Sequence, residues 1–241
     1  MSKLVWGAVA AALVAHAAPA LAAITPARTA LLPQLSGIGR PTHIALTFDD
    51  GPDPRYTPEV LATLDTLGMR ATFFLLGTMV ADNPRLAREI VAAGHEVALH
   101  GYDHRLLLRR GPNATFHDLA HGRELIEDVT GVRPTWWRPP YGVLTGPALS
   151  AARRLRLTPV LWTAWARDWT ATTTPATVVR TVERGLRPGA TVLLHDSDCT
   201  SALGSSRATV DALPELVQNL RERGFDVGPL REHGLLAGAS W

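Results

Sequence analysis

What most constrains this chain is an alternation running from about Pro41 towards the C-terminus. Short apolar runs rich in β-branched or aromatic residues are separated by longer stretches of helical periodicity. The runs that read as strands are Ile44–Phe48, Ala71–Leu76, Glu96–Leu99, Thr135–Trp137, Thr158–Thr163, Thr191–Leu194 and Phe225–Val227. The helical stretches have recognisable ends: Thr57-Pro58 to Gly68, Asn83-Pro84 to Gly94, Thr115 to Gly131, and Thr174-Pro175 to Gly185. At each start a side-chain oxygen can cap the open amides, and Pro suits the first helical position. At each end Gly can take a left-handed turn without a Cβ clash. Spacing such as Val60, Leu61, Leu64 and Leu67 gives such a helix one apolar face. Repeated strand–helix units predict an α/β fold with a parallel sheet, and seven of them suffice to curl it into a distorted (β/α)7 barrel. No internal repeat or linker interrupts the pattern, so one domain is expected over 41–235, after a loose lead-in at 24–40.

The first 23 residues follow a different rule. Lys3 is a short basic start, Leu4 to Ala15 is an Ala-rich apolar run, and Pro19-Ala20-Leu21-Ala22 offers a small-x-small cleavage site. This is the layout of a secretory signal peptide over 1–23, cut near Ala22 or Ala23. The alternative is a retained anchor, but His16 and Pro19 interrupt the run and make a poor membrane span. A secreted, periplasmic or cell-envelope location is therefore expected, with no stable span after cleavage. Lys+Arg 24 against Asp+Glu 22 is too even a balance for the field of a nucleic-acid binder. The single cysteine, Cys199, excludes an internal disulfide framework and a thiolate-built metal site; it reads as an inert loop thiol.

Polar residues collect where the strands end. Asp49 and Asp50 end the first, His100 and His104 follow the third, Arg138 follows the fourth, Asp168 the fifth, and His195 ends the sixth. In parallel α/β folds the C-terminal strand ends share one rim, where function gathers. His100 and His104, four apart, would lie on one face of a helical turn and could share a metal. A carboxylate from another strand end would complete a two-His, one-carboxylate site with an open position. His117 and His121 repeat that spacing within an ordinary helical stretch without such a carboxylate, and read as a helix face. His43 and His95 precede strands, at the opposite rim, and read as structural. Asp49 and Asp50 would repel one another unless a cation met one and a guanidinium, such as Arg138, the other. A turn through Gly51-Pro52 could bring both to the rim. An acidic pair capping a loop is the plainer alternative.

Five ordered segments, Thr47-Phe-Asp-Asp-Gly51, His100-Gly-Tyr-Asp-His104, Arg138-Pro-Pro-Tyr141, Asp168-Trp169 and Leu193-Leu-His195, resemble the motifs of the NodB-type polysaccharide deacetylases, carbohydrate esterase family 4. The resemblance spans about Pro41 to the region of Leu230. It implies that Asp50, His100 and His104 hold one divalent metal, zinc first, with cobalt, nickel or manganese as alternatives. It implies Asp49 as general base, Arg138 as its ion-pair partner, and the Tyr141 backbone amide as an oxyanion donor. His195 would be the general acid, tuned by Asp168, while Trp169 and Leu193 would wall the acetyl-methyl pocket. Trp165 stands where the family usually has an acidic residue, three before the fourth-motif Asp, and Gly101 replaces the usual Ser or Thr. Trp165 and Trp169 are the aromatic residues expected in the groove, whereas Trp137 and Trp162 are expected in the core.

The expected protein is a monomeric hydrolase removing N-acetyl groups from a peptidoglycan or chitin-like N-acetylglucosamine polymer, with no nucleic-acid partner. An O-acetyl esterase acting on xylan is the nearest alternative. A non-haem iron oxygenase shares the two-His, one-carboxylate set but has no use for His195, Asp49 and Arg138. A non-catalytic sugar-binding module would not need both base and acid.

Overall fold

The computed structural model describes residues 3–25 and 27–237, so the first two residues of the expected signal peptide lie outside the described residues. In chain order the elements are α1 (Lys3–Ile24), α2 (Arg28–Leu31), β1 (His43–Asp49), α3 (Thr57–Thr66), β2 (Thr72–Leu76), α4 (Gly77–Asp82) and α5 (Pro84–Ala92). There follow β3 (Glu96–Gly101), α6 (Pro112–Thr130), β4 (Trp136–Trp137), α7 (Gly146–Arg154), β5 (Thr158–Pro159) and β6 (Ala164–Trp165). The chain continues through α8 (Pro175–Gly185), β7 (Thr191–His195), α9 (Ser205–Glu222) and β8 (Asp226–Gly228). The sheet order is β5-β4-β3-β2-β1-β7-β6, with β8 against the start of β1, and these pairings are parallel. This is the expected distorted barrel.

Side chains alternate across the buried central strand. Ile44, Leu46 and Phe48 face outward into the main core beneath the helices, while Ala45 packs inside the barrel with Phe74, Ala98, Trp136, Val160 and Leu230. Thr47 and Asp49 continue the inward row, so β1 itself delivers a carboxylate to the barrel mouth.

The run Thr158–Thr163 is not one strand. Its beginning pairs with β4, and Val160 N still donates to Trp137 O at 2.9 Å. Thr163 N then donates to Thr191 O at 3.0 Å, and β6 pairs with β7. Residues 160–163 therefore cross from one edge of the sheet to the other. Apolar periodicity reports burial, which persists throughout, and is blind to a change of partner.

The helix ends also need correction. Of the four expected side-chain caps only Thr174 acts as one, in a capping box with Thr177. Thr57 instead accepts from Asp53 N at 2.8 Å and donates to Asp196 Oδ2 at 2.5 Å, and Asn83 gives no side-chain cap. The third helix starts at Pro112, not Thr115, whose hydroxyl donates back to Gly111 O. Helix α9 carries Pro214 in its interior, and Leu213, Leu216, Val217 and Leu220 bury one face.

His43 and His95 sit at strand starts, as expected of structural residues. His43 Nδ1 lies 2.8 Å from His233 Nδ1, and His233 Nε2 faces the carbonyls of Gly37 and Gly189. Carbonyls only accept, so His233 carries its proton on Nε2 and takes one from His43 Nδ1–H. Burial lowers His43, His95 and His233 to about 4, with a neighbouring cation or imidazole adding to it. Unfolded imidazoles titrate near 6.5, so between about 6.5 and 4 the unfolded chain binds protons the folded one refuses. These rings stabilise the fold above that window and cease to do so as pH falls through it. Asp196, raised to about 7 chiefly by burial, acts in the opposite sense. At pH 5.5 the ¹⁵N imidazole shifts of the three rings should be those of neutral histidine; protonated shifts there would refute the assignment.

Candidate active site

The barrel mouth is organised around Asp49. In the sheet register it lies directly opposite His195 on β7. Asp49 Oδ1 accepts from Arg138 Nη1 at 2.7 Å. The guanidinium is fully buried. It also donates to Thr47 Oγ1 at 2.8 Å and to the carbonyls of Leu161 at 3.1 Å and Val160 at 3.3 Å, and it lies 4.0 Å over the Phe74 ring. The last two acceptors belong to the crossing segment, whose carbonyls at Val160 and Leu161 turn towards the guanidinium.

Adjacent carboxylates on a strand diverge, and the chain resolves this by leaving β1 with Asp50 at φ 77°. The following Gly51 has no room for a Cβ, because the buried Asp196 carboxylate occupies that space. Asp50 Oδ1 comes to rest 3.3 Å from His100 Nε2 and 3.5 Å from His104 Nε2. The two imidazoles do not share a helical turn. His100 is the penultimate residue of β3, Gly101 ends the strand at φ 113°, and His104 returns on a loop. That loop is pinned by Arg110, which donates to Asp103 at 2.5 and 2.6 Å and pairs with Asp118 at 2.6 Å. His121, from the other pair, stacks on Tyr102 at 4.1 Å, so it supports the loop from α6.

The donor set fits a divalent ion. His100 Nδ1–H is committed to Arg138 O at 2.9 Å, so its Nε2 lone pair faces Asp50 Oδ1. Two acceptors 3.3 Å apart call for a cation between them, and Asp50 Oδ1 is buried with no hydrogen-bond partner. Donors each about 2.0–2.1 Å from a tetrahedral ion stand roughly 3.3 Å apart, close to the 3.3 and 3.5 Å that separate Asp50 Oδ1 from the two imidazoles. Burial and the neighbouring His100 hold His104 down to about 4, in the neutral form that ligates. Among the described residues Asp50, His100 and His104 are the group with metal-binding spacing.

Across the mouth, Asp168 Oδ1 lies 2.7 Å from His195 Nδ1, and its Oδ2 accepts from His195 N at 2.8 Å and Thr209 Oγ1 at 2.6 Å. Burial alone would lower His195, but the Asp168 carboxylate outweighs it and lifts the imidazole to about 10. Asp168 is correspondingly held below the usual carboxylate range, against its burial. With Nδ1 committed to Asp168, Nε2 is the nitrogen left for the cavity.

A cavity of about 290 Å³ connects these groups, lined by Asp49, Asp50, His100, His104, Tyr141, Trp165, Trp169, Leu193 and His195, all expected at the site. Arg138 and Asp168 stand behind it, touching the lining groups rather than the space. Trp137 is buried as expected, but Trp162 joins the lining and packs 5.8 Å from Trp165, which in turn lies 5.1 Å from Trp169. Trp162 belongs to the crossing segment, where strand alternation no longer decides the facing. Thr200 and Ser201 also line the cavity, and Thr47 and Thr209 bond Arg138 and Asp168 behind it, roles that nothing in their sequence positions marks.

A family model described as polysaccharide deacetylase matches residues 37–160. Chitooligosaccharide deacetylase of Bradyrhizobium sp. (strain ANU 289) is 41% identical over 196 residues, 78% of this chain and 88% of that protein. A peptidoglycan-N-acetylglucosamine deacetylase of Bacillus cereus is 34% identical over 186 residues, 76% of this chain and 83% of that protein. Among solved structures, a family 4 acetyl xylan esterase from Clostridium thermocellum in complex with a cobalt ion superimposes with a TM-score of 0.71 at 29% identity. It covers 78% of this chain and 88% of that one. The chain thus belongs to the polysaccharide deacetylases of carbohydrate esterase family 4 and is an enzyme of that class. Deacetylases of this family are metal-dependent, in keeping with the Asp-His-His cluster.

Proposed function

We propose that this chain is a secreted, metal-dependent hydrolase that removes acetyl groups from N-acetylglucosamine units of a polymer such as chitooligosaccharide or peptidoglycan. The observation that carries it is Asp49 and His195 facing one another across β1 and β7, with the Asp50-His100-His104 cluster beside them. A divalent ion held there, zinc first, would polarise the acetyl carbonyl and make water acidic enough to attack.

The chain's own residues do the rest. Asp49 takes the proton of the attacking water, oriented by Arg138 through Oδ1, which leaves Oδ2 for the water. The Tyr141 backbone amide contributes to holding the developing oxyanion. Tyr141 sits at φ 59°, in a turn that Gly142 N and Val143 N tie back to the carbonyls of Pro139 and Pro140. An amine leaves only once protonated, and His195, charged at neutral pH beside Asp168, supplies that proton through Nε2. Trp169 and Leu193 wall the acetyl methyl, and Trp165 offers a face to the sugar.

Secretion rests on the leader pattern and on α1 itself. That helix leaves Trp6, Leu13, Val14 and Leu21 exposed, an apolar surface out of place on a finished soluble enzyme. Among the described residues no helix is long and apolar enough to cross a membrane.

The test is acetate release by protein recovered outside the expressing cell, with its N-terminus at or near Ala23. Chitooligosaccharides, peptidoglycan and acetylated xylan would be compared, with and without chelator. Release from the N-acetylated glycans, abolished by chelator and restored by zinc or cobalt, is the expected result. Release from xylan alone would make the enzyme an O-acetyl esterase, as in the Clostridium relative, and full activity after metal stripping would remove the ion from the reaction.

A further inference from the structure

We propose that Thr200 is a positioning residue for the metal ligand Asp50, fixing it to offer a single oxygen; this rests on the metal reading above. The two oxygens of Asp50 are not equivalent. Oδ1 faces the imidazoles of His100 and His104, while Oδ2 accepts a hydrogen bond from Thr200 Oγ1 at 2.5 Å. For Asp50 to chelate through both oxygens, Oδ2 would have to turn inward and break that bond. The hydroxyl therefore keeps the carboxylate monodentate, and the remaining coordination space stays open for the reacting groups.

The hydroxyl comes from a built loop. Cys199 N donates to Ser197 Oγ at 3.1 Å, Gly204 N to Asp198 Oδ2 at 2.6 Å, and Ala202 N to Trp169 O at 3.0 Å. Cys199 Sγ also contacts Asp50 O at 3.7 Å, so the loop grips Asp50 at both its backbone and its carboxylate. Through Trp169 the same loop is tied to the side of the cavity that carries Asp168 and His195.

The test uses the metal-stripped full chain, titrated with zinc against a competing chelator. Thr200→Val keeps the shape and deletes the donor; Thr200→Ser keeps the donor and deletes a methyl group. The expected result is a zinc Kd raised about 10-fold or more in Thr200→Val, within the range for lost support of a ligand, and near wild type in Thr200→Ser. Thermal unfolding of the metal-free proteins should coincide, and Thr200→Ala gives a second donor-free variant should the Val side chain disturb the loop. Wild-type zinc affinity in both donor-free variants, or equal weakening in Thr200→Ser, overturns the assignment. A wild-type chain that takes up no divalent ion would instead bring down the metal reading beneath it.

Discussion

An Asp49→Asn enzyme should turn over about 10²–10⁴ times more slowly than wild type while keeping its metal content, the usual scale for losing a general base. Asparagine has the same shape, and its carbonyl oxygen can still accept from Arg138 Nη1, which now reaches Asp49 Oδ1 at 2.7 Å. The amide nitrogen then falls where Oδ2 stood and cannot take a proton from water. Because Oδ2 lies 3.8 Å from His100 Nε2, farther than either contact made by Asp50 Oδ1, the ligand cluster should survive the change. Steady-state kinetics beside metal analysis of the same samples decides the matter. Undiminished turnover with zinc bound would remove Asp49 as the base.

Replacing Arg138 by Met should cost about 3–5 kcal/mol of stability, the range for removing one partner of a buried ion pair. The loss is not one contact. The buried Asp49 would lose its partner, Thr47 Oγ1 would lose its donor, and the carbonyls of Val160 and Leu161 would each lose theirs. Lysine would keep the charge but lacks the planar fork that serves all four acceptors. Equilibrium urea unfolding measures the effect. Adding Asp49→Asn should recover part of it, since the stranded charge is then gone, and a double-mutant cycle reads that coupling. A single variant within about 1 kcal/mol of wild type would mean that Arg138 is not the anchor its contacts describe.

The site could be read from sequence because the chain's polarity breaks at strand ends. Asp49, His100 and His195 each interrupt or end an apolar run, and a parallel sheet brings such breaks to one rim. Arg138 and Asp168 were found the same way, although burial behind the cavity is not written in their neighbours. What escaped was interaction between distant segments. Thr47, Thr200 and Thr209 bond site groups across 91, 150 and 41 residues, and Thr57 bonds Asp196, beside Gly51, across 139. A threonine in a strand or at a helix start already has a local explanation, so nothing marks it as a partner of a remote carboxylate. His100 and His104 show the converse case. Their four-residue spacing implies a helical turn, yet the end of β3, with Gly101 at a positive φ, brings the rings together just as well. Pairwise spacing limits which atoms can meet without choosing the backbone path between them.

The crossing of residues 160–163 ties the berth of Arg138 to the point where the chain changes sheet edges. The carbonyls that cradle the Arg138 guanidinium take up their inward aim only when this stretch has left one sheet edge for the other. Until then the guanidinium lacks two of its four acceptors, and the donor to Asp49 Oδ1 is not held in place. A change of path in this stretch therefore reaches the base directly, through two of the four acceptors that fix its guanidinium partner.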